Sequence, residues 1–463
     1  MDVLIYVIKI LFIMFFVYTV SFVCYWLVSM YIAICRHSQY RMRKKAYKEI
    51  LNDDFETNEV SVIIPAYNEE ACICNTIDSI MSSEYPCIEI IVVNDGSKDD
   101  TEAVVVNKYK LNEKAYDTEE RFKTKRVERY YEKTIKGRTI KFVCKENGGK
   151  SDSLNCGLNV CKSDYCIILD ADTTVEKDAI RNMRSQFKVD KHLIVCAGVV
   201  ENSMYKNEFY KKISLFQRMF VLFQQLEYFR TFYVQRIFLD KINANVVVSG
   251  AFAMFDSKVL KDAGGYKINL IGEDMEVTMR LHAFCKSQKR KYHIGYIPEA
   301  RCHTQVPFQF KDYFNQRRRW HIGMIQSLRE HRYMIGSSYY GGAGIISGTF
   351  MLFYELWAPF IEVLGVFVLI ISAMFNIVDY EIVIKAGIIY MFMASVTQLL
   401  LIKSLNCYGI EKIRLLQIIK LFLVSLTEGI IFHPLNVFIK LDASFTAKKN
   451  KLLWKHIERE NET

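Results

Sequence analysis

The chain has 463 residues, of which 51% are hydrophobic and 24% are charged, and its net charge is +10. This composition excludes a disordered chain and an ordinary soluble protein, and it predicts a soluble domain joined to membrane segments. The basic balance suits either nucleic acid or a cytoplasmic surface that faces anionic lipid. The thirteen cysteines include no C-x-x-C pair, which favours a reducing cytosol and argues against structural zinc.

The N-terminal segment, residues 1–35, predicts a transmembrane helix. Residues 3–35 are apolar apart from Lys9, and about 20 apolar residues are enough to cross a bilayer. The next segment, residues 36–58, is rich in arginine and lysine and predicts a juxtamembrane linker. Because basic residues accumulate on the cytoplasmic side of membrane spans, we expect the domain that follows to lie in the cytosol.

Residues 59–300 predict a cytosolic α/β domain. The stretches VSVIIPAYNEE, IEIIVVNDGS, IKFVCKE and DYCIILDADTT each contain an apolar β-branched run that ends in polar residues. Such runs are typical of buried parallel strands, and open α/β sheets bind ligands at the carboxyl ends of their strands. The charged stretch 108–141 interrupts this pattern. We interpret it as a solvated excursion between two strands, with an amphipathic helix or a basic patch for a partner as the alternatives.

Two acidic pairs mark the predicted site. Asp170 and Asp172 follow a strand, and two carboxylates at i and i+2 of an extended segment point the same way and can hold a divalent cation. Glu273 and Asp274 precede a helical pattern, which suits a helix cap, a general base, or both. Between the pairs, the apolar stretch VVVSGAFAMF predicts a strand whose small residues let a ligand approach the backbone closely.

The stretch NQRRRWH places three arginines beside an indole. On a helix, Gln316, Arg319 and Trp320 share one face, which suits a pyrophosphate and the face of a sugar. Arg317 and Arg318 point elsewhere, toward lipid or toward a structural partner. A nucleic-acid surface requires basic and aromatic residues interleaved over a wider stretch, so no nucleic acid is expected as a partner.

Seven stretches, taken in order, resemble the motifs of the family 2 glycosyltransferases. They are PAYNEE, VVNDGS, KENGGKSDSLNCG, LDADT, VSGAF, GEDMEVTMRLH and QRRRW. The resemblance is closest to the membrane-embedded processive branch that includes cellulose, hyaluronan and poly-N-acetylglucosamine synthases, and it runs from about residue 60 to residue 320. It implies a GT-A-like fold, in which a mixed, mostly parallel sheet binds a nucleotide sugar, together with transmembrane helices. The chain departs from cellulose synthases by reading GED in place of TED and by lacking a recognisable cyclic-di-GMP domain, so regulation by that nucleotide is unsupported.

The resemblance implies a role for each motif. Residues implied to hold the donor are Pro65, Ala66, Tyr67, Glu69, Asp95, Lys150, Asn155 and Asp170. The implied ligands of Mg²⁺ or Mn²⁺ are Asp172, as the direct ligand, and Asp170. The implied general base is Asp274, with Glu273 beside it. Residues implied to contact the acceptor and the pyrophosphate are Ser249, Gly250, Gln316, Arg319 and Trp320.

These expectations combine into an inverting glycosyltransferase at the inner face of the cell membrane. It is expected to transfer a sugar from a UDP-sugar to the hydroxyl of a growing glycan, processively and coupled to export. The expected partners are the UDP-sugar, the glycan and membrane lipid, and an accessory envelope subunit is left open. Two alternatives are a non-processive transferase to a lipid-linked acceptor and a non-catalytic nucleotide-sugar receptor in a cell-envelope complex.

The C-terminal part predicts three segments: residues 301–345 with the Q-x-x-R-W motif and interfacial helices, residues 346–442 with transmembrane segments, and a basic cytosolic tail at residues 443–463. Candidate spans lie near 350–375, 382–402 and 415–439. Three full crossings would leave the basic tail outside, against the charge rule. The last segment is therefore expected to be broken, re-entrant or interfacial, or to line a polar conduit. Glu355 and Glu362, seven residues apart, are expected to face a glycan channel.

Overall fold

The computed structural model describes residues 2–50, 60–204, 209–375, 377, 379–410 and 412–447. The strands are β1 (Val60–Ala66), β2 (Ile88–Asn94), β3 (Asn112–Lys114), β4 (Val127–Ile135), β5 (Arg138–Lys145), β6 (Tyr165–Leu169), β7 (Thr174–Val175), β8 (Leu193–Asn202), β9 (Phe252–Asp256) and β10 (His293–Thr304). The helices of the first half are α1 (Asp2–Ser38), α2 (Tyr40–Ile50), α3 (Ile73–Met81), α4 (Thr101–Tyr109), α5 (Lys150–Val160), α6 (Ala179–Val189), α7 (Phe209–Lys212) and α8 (Leu215–Arg230).

The helices of the second half are α9 (Arg236–Lys241), α10 (Ser257–Asp262), α11 (Glu273–Ser287), α12 (Phe310–Glu330), α13 (Ala358–Met374), α14 (Tyr380–Cys407), α15 (Leu415–Thr427) and α16 (His433–Thr446). Short 3₁₀ turns cover Arg332–Met334 and Ser338–Tyr340. Wider π-helical turns cover Thr231–Gln235, Ala343–Gly348, Met351–Leu356 and Glu428–Phe432.

The described strands form one sheet in the order β3-β4-β5-β2-β1-β6-β9-β8-β10-β7. The four neighbours β5, β2, β1 and β6 are parallel, whereas β9 runs antiparallel to both β6 and β8. The predicted mixed α/β sheet is therefore confirmed. The sheet extends to Thr304, a few residues beyond the predicted end of the domain at residue 300.

Both faces of the sheet are covered, and β1 shows why its sequence is apolar throughout. All seven of its residues are buried, because successive side chains point to opposite faces. Ile63 packs in the cluster that contains Leu154 and Leu158 of α5, while Val62 packs in the cluster on the other face. Helix α5 approaches closely at Gly157, where a methyl group would overlap the side chain of Ile63.

The carboxyl ends of the parallel strands meet at one edge of the sheet. The segments that leave β1, β2, β5 and β6 there carry Tyr67, Asp95, Lys150 and Asp170. Because β9 is antiparallel to β6, its first residues enter at the same edge. The predicted strand around SGA begins only at Phe252, after these small residues, so the SGA segment is a loop above the sheet edge.

The charged stretch 108–141 lies mostly exposed between β2 and β5, as expected of a solvated excursion, but it contains the strands β3 and β4, so the alternative of an amphipathic helix is wrong. Within it, β4 pairs antiparallel with β5, and β3 pairs with β4 at the edge of the sheet. Its segment VERYYEKTI mixes charged and aromatic residues, and only Tyr130 is buried. A strand near the edge of the sheet with one face toward solvent tolerates this composition, and the density of charge conceals the strand in the sequence.

Three described helices are long and apolar enough to cross a membrane: Ile5–Ser38, Gly387–Cys407 and Leu415–Thr446. The pair Ala343–Leu356 and Ala358–Met374 passes the same test together but is bent by 47°. The bend coincides with Pro359 near the start of α13, where proline is tolerated because the first turn needs no donor. The break therefore lies in the first C-terminal segment.

The last segment, expected to be broken, is instead one helix from Leu415 to Thr446 with a π-helical turn inside it. Of the options predicted for this segment, the broken helix is wrong for the described residues. The helix also runs past the predicted boundary at residue 442. Residues 448–463 of the predicted basic tail lie outside the described residues. Residues 51–59, where the predicted linker ends and the predicted domain begins, also lie outside them.

Candidate active site

A cleft of about 2880 Å³ opens at the carboxyl edge of the sheet and continues between the apolar helices. The predicted site residues that line it are Pro65, Tyr67, Glu69, Asp95, Lys150, Asp170, Asp172, Ser249, Gly250, Glu273, Asp274, Gln316, Arg319 and Trp320. Residues distant in sequence therefore meet in one cavity. Only Ala66 and Asn155 of the predicted set are absent from its walls.

Ala66 and Asn155, for which donor binding stays a prediction, make structural contacts away from the cleft walls. Ala66 is fully buried, and its carbonyl accepts a hydrogen bond from the backbone N–H of Asp95 at 2.9 Å. The side-chain amide of Asn155 donates to the carbonyl of Tyr266 at 2.7 Å and accepts from its N–H at 2.8 Å. Both ends of this amide are thus used to hold the segment before α11 against α5.

Asp95 anchors the loop that leads to Lys150. Its carboxylate accepts hydrogen bonds from the backbone N–H groups of Gly148 at 3.0 Å and Gly149 at 2.8 Å. The buried ammonium of Lys145 contacts Asp95 and lies 2.8 Å from a carboxylate oxygen of Asp152. Gly149 has a φ of 89°, a conformation that glycine adopts readily. Asp95 therefore shapes the backbone of the predicted donor site, a role that the motif alone did not reveal.

Lys150 joins two acidic groups from different elements. Its ammonium nitrogen lies 2.8 Å from Oδ1 of Asp170 and 3.1 Å from Oε1 of Glu273. Burial acts against the charged form, but the two carboxylates outweigh it and raise the pKa of Lys150 above its ordinary value. Lys150 is consequently a fixed positive charge between the end of β6 and the start of α11.

Asp274 is a carboxyl group with an altered acidity at the start of α11. Burial and the neighbouring charge of Glu273 raise its pKa to about 6, while Lys150 opposes this shift. One carboxylate oxygen accepts a hydrogen bond from the N–H of Met275 at 2.8 Å. The N-cap of α11 is Gly272, so neither acidic residue is the helix cap, and Asp274 lies in the first turn with its side chain at the cleft wall. The general base stays a prediction.

The segment from Asp170 to Asp172 is a turn, so the assumption of an extended segment with parallel carboxylates is wrong. The N–H of Thr173 bonds to the carbonyl of Asp170 at 3.1 Å, which closes the turn. Asp170 pairs with Lys150, whereas Asp172 accepts a hydrogen bond from the hydroxyl of Thr304 at 3.3 Å. The chain bends directly after β6, and the two side chains consequently meet different partners.

Helix α12 presents the Q-x-x-R-W residues to the cleft as predicted, and Trp320 is 45% exposed there. Arg317 forms an ion pair with Glu227, and its guanidinium lies 4.4 Å from the centre of the Trp320 ring. Arg318 forms an ion pair with Asp442 of α16 at 2.7 Å. Of the two options for these arginines, the structure therefore shows structural pairing.

Arg236 and Lys125 are two examples of charged cleft residues that belong to no motif in the sequence. Arg236, directly after the π-helical turn Thr231–Gln235, donates a hydrogen bond to the carbonyl of Val247 and lines the cleft near Gly250. Lys125 reaches the cleft from the charged insertion, and its backbone N–H bonds to Asp152 at 3.2 Å. Neither position is distinguishable from ordinary surface charge without the fold.

Comparisons with known proteins agree with this architecture. The family model Glycosyl transferase family group 2 matches residues 165–402, and the model Glycosyl transferase family 2 matches residues 61–264. A mannosyltransferase from Pyrobaculum calidifontis, solved in complex with GDP-Man and Mn²⁺, has a TM-score of 0.55 at 17% identity. That match covers 92% of this chain and 100% of the mannosyltransferase chain. The likeness confirms the predicted GT-A-like fold.

Curated relatives are similar over part of their length. A poly-beta-1,6-N-acetyl-D-glucosamine synthase of Staphylococcus epidermidis is 29% identical over 270 residues, which are 58% of this chain and 55% of the relative. The protein of the same name from Staphylococcus aureus (strain COL) is 30% identical over 292 residues, which are 63% of this chain and 60% of the relative. The matched region thus spans little more than half the length of these relatives.

The first prediction concerns Asp95. Asp95→Asn removes the charge that compensates the buried Lys145 and weakens the acceptor for two backbone N–H groups, so we expect a loss of about 3–5 kcal/mol in unfolding free energy. Denaturant unfolding of the detergent-solubilised protein measures the change. Asp117→Asn, at an exposed position, is the matched control and is expected to unfold like the wild type. Equal stability of both variants would contradict the anchoring role.

Proposed function

Because the chain belongs to glycosyl transferase family group 2, we propose that it is an inverting glycosyltransferase that uses a UDP-sugar and elongates a glycan at the inner face of the membrane. The observation that carries the proposal is the continuity of the cleft. It runs from Lys150 and Asp274 past Trp320 to Glu355, His433 and other residues of the apolar helices. A growing polymer requires such a path from the reacting groups to the membrane.

The cleft supplies a candidate base and fixed positive charge. Asp274 takes the proton from the acceptor hydroxyl as that oxygen attacks the anomeric carbon, and attack opposite the departing diphosphate inverts the configuration. Arg319 supplies a planar guanidinium suited to the pyrophosphate, and the exposed ring of Trp320 stacks on the acceptor sugar. Lys150, held between Asp170 and Glu273, places an ammonium beside the donor site.

The site fits a divalent cation whose ligands come partly from the protein and partly from the donor. The described residues contain no group of three or more His, Cys, Asp or Glu side chains that could form an all-protein cage. Mg²⁺ commonly binds one or two carboxylates and completes its coordination with phosphate oxygens and water, which suits Asp172, with Asp170 as a second ligand. When bound, Mg²⁺ or Mn²⁺ neutralises charge on the leaving diphosphate.

The processive interpretation rests on the membrane half of the cleft. Glu355 pairs with Lys440 at 2.7 Å and Glu362 pairs with His433 at 2.8 Å, so both predicted channel residues lie on the cleft wall opposite α16. Such polar pairs among apolar helices are suited to contact a hydrated glycan. The relatives named poly-beta-1,6-N-acetyl-D-glucosamine synthase make UDP-N-acetylglucosamine the first donor to test.

The second prediction tests turnover. The purified protein is expected to release UDP from at least one member of a panel of UDP-sugars in the presence of Mg²⁺ or Mn²⁺, and to lengthen an oligosaccharide over many additions. Product size analysis separates a polymer from the single addition expected of a transferase to a lipid-linked acceptor. No turnover with any donor would favour the non-catalytic receptor and contradict the proposed activity.

The third prediction concerns Asp274. A base must be ionised to accept a proton, and its pKa is raised to about 6, so activity is lost as the pH falls through about 6 and is full above about 7. Asp274→Asn is expected to lower transfer by about 10²–10⁴-fold while UDP binding is retained. Initial rates between pH 5 and pH 8 test this, with Asp117→Asn as the control; a flat profile or an active Asp274→Asn protein would exclude this base.

We also propose that the helix Leu415–Thr446 lies along the membrane face of the catalytic domain. Just before it begins, the carbonyl of Ile410 accepts a hydrogen bond from Arg301 of β10 at 2.5 Å. In its middle, Glu428 pairs with Arg230 of α8. Near its end, Ser444 contacts His321 of α12 at 3.0 Å. A helix of this length that crossed the membrane would separate its ends by about 48 Å. Contacts with the catalytic domain at both ends therefore favour a position in which both ends lie on the same side of the membrane.

The fourth prediction follows from this arrangement. With α1, the bent helix pair and α14 as the spans, the C-terminus lies in the cytosol together with the catalytic domain. A fluorescent protein fused to the C-terminus is expected to fluoresce, and alkaline phosphatase fused there is expected to be inactive. Fusion after residue 377, between α13 and α14, is the matched control and should give the opposite pattern. An active phosphatase at the full-length C-terminus would contradict this topology.

A further inference from the structure

The start of α11 and the middle of α12 meet through two glycines. A methyl group on Gly323 would lie 2.8 Å from the Cα and N atoms of Gly272, and a methyl group on Gly272 would lie 2.8 Å from the carbonyl group of Gly323. The two backbones therefore approach as closely as only glycine permits. We call this contact, together with Ile271, Gln326 and Ser327, the α11–α12 junction.

Side chains of α12 complete the junction by binding the backbone just before α11. The side-chain oxygen of Gln326 accepts a hydrogen bond from the N–H of Ile271 at 3.0 Å. The hydroxyl of Ser327 donates to the carbonyl of Gly272 at 3.3 Å and to the carbonyl of Gly323 at 2.9 Å. The segment that carries the acidic pair is consequently bonded to α12 in addition to touching it.

Further along the two helices, charged and apolar contacts prevent them from pivoting. Glu276 lies 3.2 Å from Nε2 of His331. Lys267 pairs with Glu276 at 3.5 Å and also with Glu330 at 2.5 Å, and so links the two helices. Met275 packs in the same apolar cluster as Leu328. The junction is therefore the end of a continuous interface and is held in one geometry.

The position of the junction relates it to the chemistry. Asp274 is two residues after Gly272, and Trp320 is three residues before Gly323, within one turn of the contact on either helix. Gln326 itself lines the cleft. Any separation of the helices at the glycines would therefore change the distance between the candidate base and the surface proposed to hold the acceptor sugar.

The junction also reduces the stability of α12, which argues for a role beyond packing. Glycine in a helix interior is less favourable than alanine by about 1 kcal/mol, and Gly323 lies well inside α12. Its partner Gly272 lines the cleft, and residues that break a local rule in this way are typical of functional positions.

We propose that the α11–α12 junction is a positioning device that sets the distance between Asp274 and Trp320 and so makes the enzyme transfer sugar to a glycan hydroxyl in preference to water. This inference rests on the proposed glycosyltransferase function. Binding of the donor depends on groups at the sheet edge, whereas the acceptor must fit between groups carried by α11 and α12. Widening the junction should thus impair transfer more than donor binding or hydrolysis.

Gly323→Ala and Gln326→Met test the proposal, with UDP release and oligosaccharide elongation measured in parallel at pH 8. A displacement of about 1 Å in a catalytic group costs roughly 100-fold. We therefore expect the ratio of transfer to hydrolysis to fall by about 10- to 100-fold, with the donor KM changed by less than about twofold.

Two control variants separate positioning from damage to the fold. Gln326→Glu keeps an oxygen that accepts the hydrogen bond from the N–H of Ile271, so the ratio should remain close to that of the wild type. Gly365→Ala places a methyl group in α13 at ordinary contact distance, 3.6 Å from Phe15, and should leave the ratio unchanged.

The outcomes distinguish the inference from the proposed function. An active wild type with unchanged ratios in Gly323→Ala and Gln326→Met would overturn the junction and leave the function intact. A parallel loss of transfer, hydrolysis and UDP binding would assign the junction to folding alone and also overturn it. An inactive wild type with every donor would overturn both.

Discussion

The ammonium group of Lys150 joins the two halves of the candidate site. It belongs to α5, contacts Asp170 at the end of the sheet, and contacts Glu273 at the start of α11. Three carboxylates, including Asp274, lie near one another in a half-buried cleft, and this arrangement would be unfavourable without a fixed cation among them. The same balance of burial, repulsion and attraction gives Asp274 an acidity suited to a base near neutral pH.

A series of direct contacts links this charge cluster to the apolar helices. Lys150 holds the start of α11, the paired glycines hold α11 to α12, and Arg318 of α12 pairs with Asp442 of α16. Helix α16 in turn pairs with the bent helix segment through Lys440 and Glu355. Because each contact is a specific ion pair or a backbone contact, the position of the apolar helices that line the cleft is set relative to the candidate base.

The strongest sequence predictions concern local patterns with a single physical explanation. The apolar run of β1 predicts a strand buried on both faces, and the face shared by Gln316, Arg319 and Trp320 predicts a common direction on one helix; both agree with the structure. Predictions failed where one local sequence pattern is compatible with two different local structures. The two acidic residues of LDADT suit an extended strand or a turn, and the chain turns because β6 ends at Leu169. The strands β3 and β4 within the charged insertion were not predicted, because an exposed strand and a solvated loop have similar compositions.

By itself, the sequence determined the α/β class, the N-terminal apolar helix and a set of site residues of which all but Ala66 and Asn155 line the cleft. Buried strands and long apolar helices are recognisable from their hydrophobic pattern, and the motifs are recognisable from their order in the chain. Only the tertiary structure decided which polar groups satisfy one another. The side chain of Asn155 bonds to the backbone of Tyr266, the carboxylate of Asp95 accepts hydrogen bonds from a glycine loop, and Arg317 forms an ion pair with Glu227. It also decided that the bend lies at Trp357 in the first C-terminal segment and that Gly272 touches Gly323. These contacts join residues that are far apart in the chain. The distance between two such residues depends on how whole helices and strands pack, and a local sequence pattern does not determine that packing.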